Sequence, residues 1–441
     1  MSEGSSLNVK LSAALASRDE RWIRRRLPDP NTSSSGSPLI DFNSNDYLSL
    51  SSSQILRNRF LKKLSEAPDV LGSGGSRLLV NGRAHNALEA RLSQFFRAEA
   101  ALLFNSGFDA NVGFFSCVPQ PGDVVVYDEY IHASVHDGIR ASRARDAHYA
   151  FSHNSMPSFR RLLNRIREER RGLEAGENSI FVAVESLYSM DGTFAPLEEI
   201  VSVLEEIFPR GNGYLVVDEA HATGIYGPEG RGRVAQLGLE GKVLARLHTF
   251  GKALAATGAV ILTNTLIRDY LLNYARSLIY TTSLSFANII AADCSFDLLT
   301  DGMAQTLAND LLDLSAYFTQ YIRPHLVRIP PKLLSLPEHL RDDISLNHDP
   351  PSPIIPIMTS HPRPLSAYLL ALGMNARPIT WPTVPKGKDR VRVCLHAGNT
   401  REDVEKLAHG AIRWAQETLA EEERKDRRIE MNGKVFLESK L

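Results

Sequence analysis

Four short apolar runs, Val124–Tyr127, Ile180–Val184, Tyr214–Val217 and Ala259–Leu262, constrain this chain more than any other feature. Each is too brief for a buried helix and is mostly β-branched or aromatic, which fits a strand buried on both faces. Such strands need cover above and below, and helical patterns lie between them. In residues 84–97, Leu88, Leu92, Phe95 and Phe96 share one face, while Arg91, Ser93 and Gln94 fall mostly off it. The alternation predicts an α/β fold with a large, mostly parallel sheet. Past residue 300 the pattern changes. Leu307–Ile322 reads as a helix and 330–356 is proline-rich. From Pro353 to about Glu422 the order strand, helix (Leu365–Leu372), strand (Val391–Leu395), helix (Val404–Leu419) predicts a small C-terminal α+β domain. The expected division is an N-terminal helical arm and loop over 1–45, a large domain over 46–298, the small domain over 299–425, and a tail over 426–441. Leu7, Leu11, Leu15, Trp22 and Ile23 predict an interrupted amphipathic helix in the arm, followed by the basic run Arg24–Arg26 and an exposed Ser/Pro-rich loop over 28–38. The Arg- and Glu-dense stretch 158–178 reads as a solvated helix and loop, and Arg424–Arg428 with Asn432-Gly433 as a polar, mobile segment beyond the last helix.

Charge and composition narrow the function. The 441 residues carry 50 Lys plus Arg against 51 Asp plus Glu, a formal charge of −1. This lacks the basic excess by which nucleic-acid binders displace counterions, and no nucleic-acid partner is expected. No apolar run approaches the roughly 18 residues that span a bilayer, so no membrane partner is expected either. The segment MSEGSSLNVK has no apolar core of a secretory signal. Cys117, Cys294 and Cys394 are far apart and form no CxxC pair, which favours free thiols over a zinc site. No metal is expected. The reading is a soluble, intracellular, enzyme-sized protein.

The chemistry is concentrated in two stretches. Tyr214-Leu-Val-Val-Asp218-Glu-Ala-His221 puts a carboxylate directly after an apolar strand, where open α/β sheets gather functional groups. A carboxylate there can hold a positive charge on a heteroaromatic nitrogen, and His221 can reach another edge of the same ligand. Asp218 alone could equally cap the following helix. His248-Thr249-Phe250-Gly251-Lys252-Ala253 follows, with Lys252 34 residues after Asp218. A lysine between Gly251 and Ala253-Leu254-Ala255-Ala256 is poorly hydrated, which lowers its pKa and favours imine formation. An imine-forming lysine paired with an acidic partner for a pyridinium nitrogen is the requirement of pyridoxal 5'-phosphate (PLP). Two glycine-containing pieces could hold the phosphate, Gly72-Ser-Gly-Gly75-Ser-Arg77 and Ser106-Gly107-Phe108. Neither fits a dinucleotide fingerprint, and a Walker lysine is absent. His132, just past Val124–Tyr127, could stack on a cofactor ring, although a lone histidine is more often structural.

Assembled in order, these pieces resemble the α-oxoamine synthases, PLP enzymes with a transferase fold of the aspartate-aminotransferase type. The resemblance runs from about Arg24 to Trp414. It rests on Asn45-Asp46-Tyr47-Leu48, GSGGSR (72–77), SGFDAN (106–111), HAS (132–134), SMDG (189–192), VDEAHATG (217–224), TFGK (249–252), LIYTTS (278–283) and PTVP (382–385). It implies that 46–298 is the cofactor-binding domain and that Lys252, His132, Asp218 and His221 are catalytic. Lys252 would carry the cofactor as a Schiff base, with Asp218 at the pyridine nitrogen, His221 at the ring oxygen and His132 on the ring face. Gly107, Phe108, Ser189 and Thr249 would contact the cofactor or its phosphate. Thr282 would reach the phosphate from a partner subunit, which implies a homodimer with shared active sites. Arg392 would bind the amino-acid carboxylate, Arg24 and Thr383 the acyl substrate, and Asn45 a substrate group. LIYTTS, PTVP and Val391-Arg392-Val393 are most similar to the biotin-pathway branch, which condenses L-alanine with pimeloyl-CoA. Sister enzymes take glycine and another acyl-CoA, and some family subunits are non-catalytic; those lose the lysine that is present here. Ala253–Ala256 stands where many relatives are glycine-rich, and the proline-rich segment reads as an insertion. Finally, Ser439-Lys440-Leu441 matches the peroxisomal address read by an import receptor, which gives peroxisomal localisation as the expectation.

Overall fold

The computed structural model describes residues 5–21, 23–27, 39–80, 82–145, 147–341 and 349–438, the last with side chains through 425. Trp22, the 28–38 loop and Ser439–Leu441 lie outside the described residues. The chain opens with helix α1 (Ser6–Glu20), capped by Ser5, and a two-residue strand β1 (Ile40–Asp41). A helix forms in the arm as expected, but its amphipathic reading is corrected: Leu7, Leu11 and Leu15 are exposed, none of its residues is buried, and Ile23 lies outside it. Helices α2 (Gln54–Glu66) and α3 (Arg83–Phe95) follow, and Leu88, Leu92 and Phe96 are buried on the predicted face.

Seven strands then build one sheet: β2 (Ala100–Phe104), β3 (Val124–Asp128), β4 (His148–Phe151), β5 (Ile180–Glu185), β6 (Gly213–Asp218), β7 (Ala245–Thr249) and β8 (Ala259–Thr263). Their order is β2-β8-β7-β6-β5-β3-β4. All run parallel except β8, which is antiparallel to both neighbours. Side-chain alternation splits the apolar residues between two faces. Ile180, Val182 and Val184 face a core with Phe159, Leu163, Ile166 and Leu204, while Phe181 and Ala183 face one with Phe114, Phe115 and Ile139. The four apolar runs are therefore strands covered on both sides. The helix Met156–Glu169 corrects the solvated reading of 158–178, since Phe159, Leu162, Leu163 and Ile166 form a buried stripe beneath its charges. Helices α4 (Gly107–Cys117) and α5 (Ala133–Arg140) pack against each other over the sheet.

The C-terminal part begins with the helix Met303–Leu326. Its sheet joins β9 (Ile354–Met358), β11 (Arg377–Ile379) and β12 (Arg390–Cys394) in the antiparallel order β11-β12-β9, and β10 (Met374–Asn375) pairs with β1. The arm's end is thus stitched to the C-terminal part. The last helix runs from Arg401 to Glu438, not ending near 419, and this corrects the mobile segment expected beyond it. The charge run there is itself helix-forming, with Glu421 four residues before Lys425. Among the described residues no helix is long and apolar enough to cross a membrane.

Candidate active site

Parallel strands deliver their C-terminal residues to one edge. β5 ends at Glu185 and β6 at Asp218, opposite each other in register, and β7 ends at Thr249. Lys252 lies three residues past β7, in the connection to antiparallel β8. Its Nζ is 2.8 Å from His221 Nε2. Burial pushes the lysine down to about 8, against the opposing pull of Asp218 and Glu185. His221 is held well below the ordinary histidine value, first by burial and then by the charges of Lys252 and Arg392. It is therefore neutral. Its Nε2 accepts from Lys252, so its Nδ1–H donates to Tyr47 Oη at 2.7 Å. Tyr47 in turn donates to Asn45 Oδ1 at 3.2 Å. Arg392, on β12, donates from Nη2 to Asn45 Oδ1 at 3.0 Å and from Nε to the Ser189 carbonyl at 2.6 Å. A continuous chain of polar contacts thus joins Lys252 to Arg392. Glu185 is fully buried beside it, and desolvation raises its carboxyl well above the usual range.

Asp218 is held on its other side. Its Oδ1 accepts from the Ala220 N–H at 2.9 Å, a local turn, and its Oδ2 accepts from Asn111 Nδ2 at 2.8 Å. Asn111 also bonds Ser134 Oγ, at 3.0 Å, and Ser134 bonds His132 Nδ1, at 2.7 Å. Burial lowers the His132 pKa, so its imidazole is neutral. Gly107 opens α4 behind the N-cap Ser106, whose hydroxyl accepts from the Asp109 N–H at 3.0 Å. A Cβ on Gly107 would lie 3.5 Å from Thr249 Cβ, so the first turn of α4 and the end of β7 meet here. The Phe108 and His132 rings lie 6.5 Å apart, edge to face.

Lys252, His221, Asp218, His132, Asn45, Ser189, Arg392, Gly107, Phe108 and Thr249 therefore converge around one end of the sheet. Three other candidates stand apart. Arg24 pairs with Asp19 on the arm, and Thr383 sits on an exposed turn with its N–H on the Thr380 carbonyl. Thr282 is exposed, and its carbonyl accepts from Asn105 Nδ2 at 2.7 Å. Of the two phosphate candidates only Ser106-Gly107-Phe108 adjoins the cluster. In the other, Arg77 is committed to Glu89 at 2.9 Å and Gly75 to the Ser283 N–H at 3.0 Å. Tyr47, Asn111 and Ser134 stand inside motifs with no signal of their own, whereas Glu185 carries the same signal as Asp218, a carboxylate directly after the apolar run Ile180–Val184, and belongs with the candidates. Among the described residues no cluster of His, Cys, Asp and Glu is placed to hold a metal. The donor set fits PLP: an amine of lowered basicity, a fixed carboxylate, a neutral imidazole, and first-turn helix amides suited to a phosphate.

A family model described as aminotransferase class I and II matches residues 37–410. The chain is 46% identical to an 8-amino-7-oxononanoate synthase of Emericella nidulans over 414 residues, 93% of this chain and 96% of that one. It is 41% identical to the aminoacyl transferase sphA of Aspergillus fumigatus, over 87% of this chain and 82% of that one. A serine palmitoyltransferase of S. paucimobilis, solved with a PLP adduct, superposes with a TM-score of 0.76 at 22% identity, over 92% of this chain and 97% of that one. That likeness speaks for the fold.

Proposed function

Because the chain belongs to the class I and II aminotransferase family, as a PLP-dependent acyltransferase of the α-oxoamine synthase branch, we propose that it condenses L-alanine with pimeloyl-CoA to 8-amino-7-oxononanoate. The observation that carries this reading is the 46% identity over nearly the full length of both chains. In the reaction, the alanine Cα bonds to the acyl carbonyl carbon and CoA leaves as its thiol. The alanine carboxyl departs as CO2 and a proton takes its place.

PLP, when bound, supplies the conjugated ring that takes up the electron pair left at Cα. Lys252, with a pKa near 8, is partly unprotonated at neutral pH and takes the Cα proton. Asp218, fixed by Asn111 and the Ala220 N–H, holds positive charge at the ring nitrogen. Arg392 grips the amino-acid carboxylate by exchanging its Nη2 contact with Asn45 for the carboxylate oxygens, while Nε stays on the Ser189 carbonyl. His132 directs its Nε2–H at the thioester oxygen. Gly107, Phe108 and Thr249 hold the phosphate with the α4 amides. Thr282 reaches the site of a second copy in a homodimer, and Arg24 and Thr383 touch the acyl chain. The exposure of Thr282 outside the Lys252 cluster supports the first of these roles, and the other two rest on the family resemblance.

A second reading, a different amino acid and acyl-CoA, draws support from the 41% identity to an aminoacyl transferase. CoA release measured over pairs of amino acids (alanine, glycine, serine) and acyl-CoAs (acetyl, succinyl, pimeloyl, palmitoyl) separates them. The alanine and pimeloyl-CoA pair should give the highest kcat/KM. A higher value for another pair establishes the second reading.

A further inference from the structure

We propose that Asn111 is a positioning residue of this active site, one side-chain amide that sets both Asp218 and, through Ser134, His132. The inference rests on the reading that Asp218 faces the PLP ring nitrogen. Asn111 is 4% exposed, in the second turn of α4. Its Nδ2 carries two hydrogens, and both are used, one toward Asp218 Oδ2 at 2.8 Å and one toward Ser134 Oγ at 3.0 Å. The amide is therefore not reversible, because a flip would turn its carbonyl oxygen on a carboxylate.

The consequences run outward along the chain of donors. Ser134 Oγ, having accepted from Asn111, has one hydrogen left and gives it to His132 Nδ1 at 2.7 Å. The Ser134 backbone N–H points at the same nitrogen, 3.2 Å away. Because Nδ1 accepts twice, a neutral His132 must carry its proton on Nε2, which selects the tautomer able to donate to a substrate oxygen. On the other arm, Asp218 receives one protein donor per oxygen, Asn111 on Oδ2 and Ala220 on Oδ1. The carboxylate plane is thereby fixed with lone pairs to spare. The two helices are kept close by a glycine. A Cβ at Gly138 on α5 would lie 2.8 Å from Phe115 Cβ and 3.0 Å from the Asn111 carbonyl oxygen, both on α4. The spacing that lets Ser134 meet Asn111 thus depends on a missing side chain.

The test compares the full-length wild type with Asn111→Ala, Ser134→Ala, the double variant and Asp218→Asn. The readouts are the Kd for PLP, the visible circular dichroism of bound PLP, and the thermal midpoint of the cofactor-free protein. Asn111→Ala should weaken PLP binding by about 10- to 100-fold, the range carried by a hydrogen bond to a charged group, and change the dichroism. Ser134→Ala should alter the dichroism in the same sense, and the double variant should cost less than the sum of the two single variants, since each of them already breaks the Asn111–Ser134 contact. A thermal midpoint lowered without a change in Kd or dichroism, or single effects that simply add, would overturn the clamp. If Asn111→Ala gives no soluble protein, Ser134→Ala decides: wild-type dichroism there also overturns it. Asp218→Asn separates the two layers. If it leaves Kd and dichroism unchanged, the ring-nitrogen reading fails; if it changes them while Asn111→Ala does not, the clamp alone fails.

Discussion

Lys252 keeps a low basicity because burial outweighs two nearby carboxyl groups, and this links its titration to stability. Its folded value of about 8 lies below the ordinary 10.5, so between those pH values the unfolded chain binds a proton that the folded chain does not. The penalty of burying the charged amine is present in full below about 8 and fades as pH rises toward 10.5. Cofactor-free Lys252→Met is accordingly expected to be more stable than wild type at pH 7 by up to about 3 kcal/mol, the gap closing across that window in urea titrations. The same variant should lose turnover and the borohydride-sensitive visible band of bound PLP. Arg392→Ala should raise the KM for the amino acid by about 1.5–3 kcal/mol in binding terms and spare the KM for acyl-CoA; the reverse pattern in steady-state kinetics would reassign the carboxylate grip. Ala255, three residues past the lysine, adopts φ 48°, the left-handed region that favours glycine. Ala255→Gly should gain about 0.5–1 kcal/mol in thermal unfolding, strain relief exceeding the added chain entropy.

Helices α4 and α5 meet through Gly138, and a methyl group there has no room. Gly138→Ala is expected to cost about 1–3 kcal/mol of stability by overpacking and to weaken PLP binding as Ser134 moves from Asn111; the two losses are read by denaturation and by PLP titration. Which elements were legible in the sequence follows from their chemistry. β3, β5, β6 and β8 are runs of branched apolar residues and announce themselves. β2 reads Ala-Ala-Leu-Leu-Phe, residues at home in helices, while β4 and β7 carry His148, Arg246 and His248, whose polarity hides a strand. Buried Arg246 reconciles itself with the interior by donating to the Phe96 carbonyl at 2.9 Å. At the site, Lys252, Asp218 and His132 stood out because reactive side chains followed strands. Tyr47, Asn111 and Ser134 act through other side chains. Their partners lie far off along the chain, 174 residues for Tyr47 and His221 and 345 for Tyr47 and Arg392, distances no periodicity registers.

On the scale of the molecule, apolar side chains crowd the surface of two segments that are tied to each other. Leu71, Leu79 and Tyr280 are 78%, 82% and 73% exposed, and the Phe286 N–H ties the first segment to the second through the Leu71 carbonyl at 2.9 Å. Thr282 lies in that second segment. A surface of this kind on a lone chain is unfavourable in water, and a second copy would cover it. Light scattering should therefore return about twice the 48.9 kDa chain mass, with activity falling on dilution as dimers separate; full activity at the single-chain mass would contradict the shared site. The connectivity of the polar chain at the site has a consequence in time. Every strand of the large sheet, together with Lys252, lies before residue 264, whereas Arg392 meets Asn45 across a separation of 347 residues. At a synthesis rate of about 5–20 residues per second, the roughly 140 residues between Lys252 and Arg392 take about 7–28 s to emerge. A nascent chain thus owns the lysine, the carboxylate and the histidines of its site well before it owns the arginine, and the order of translation puts readiness for cofactor ahead of readiness for amino acid.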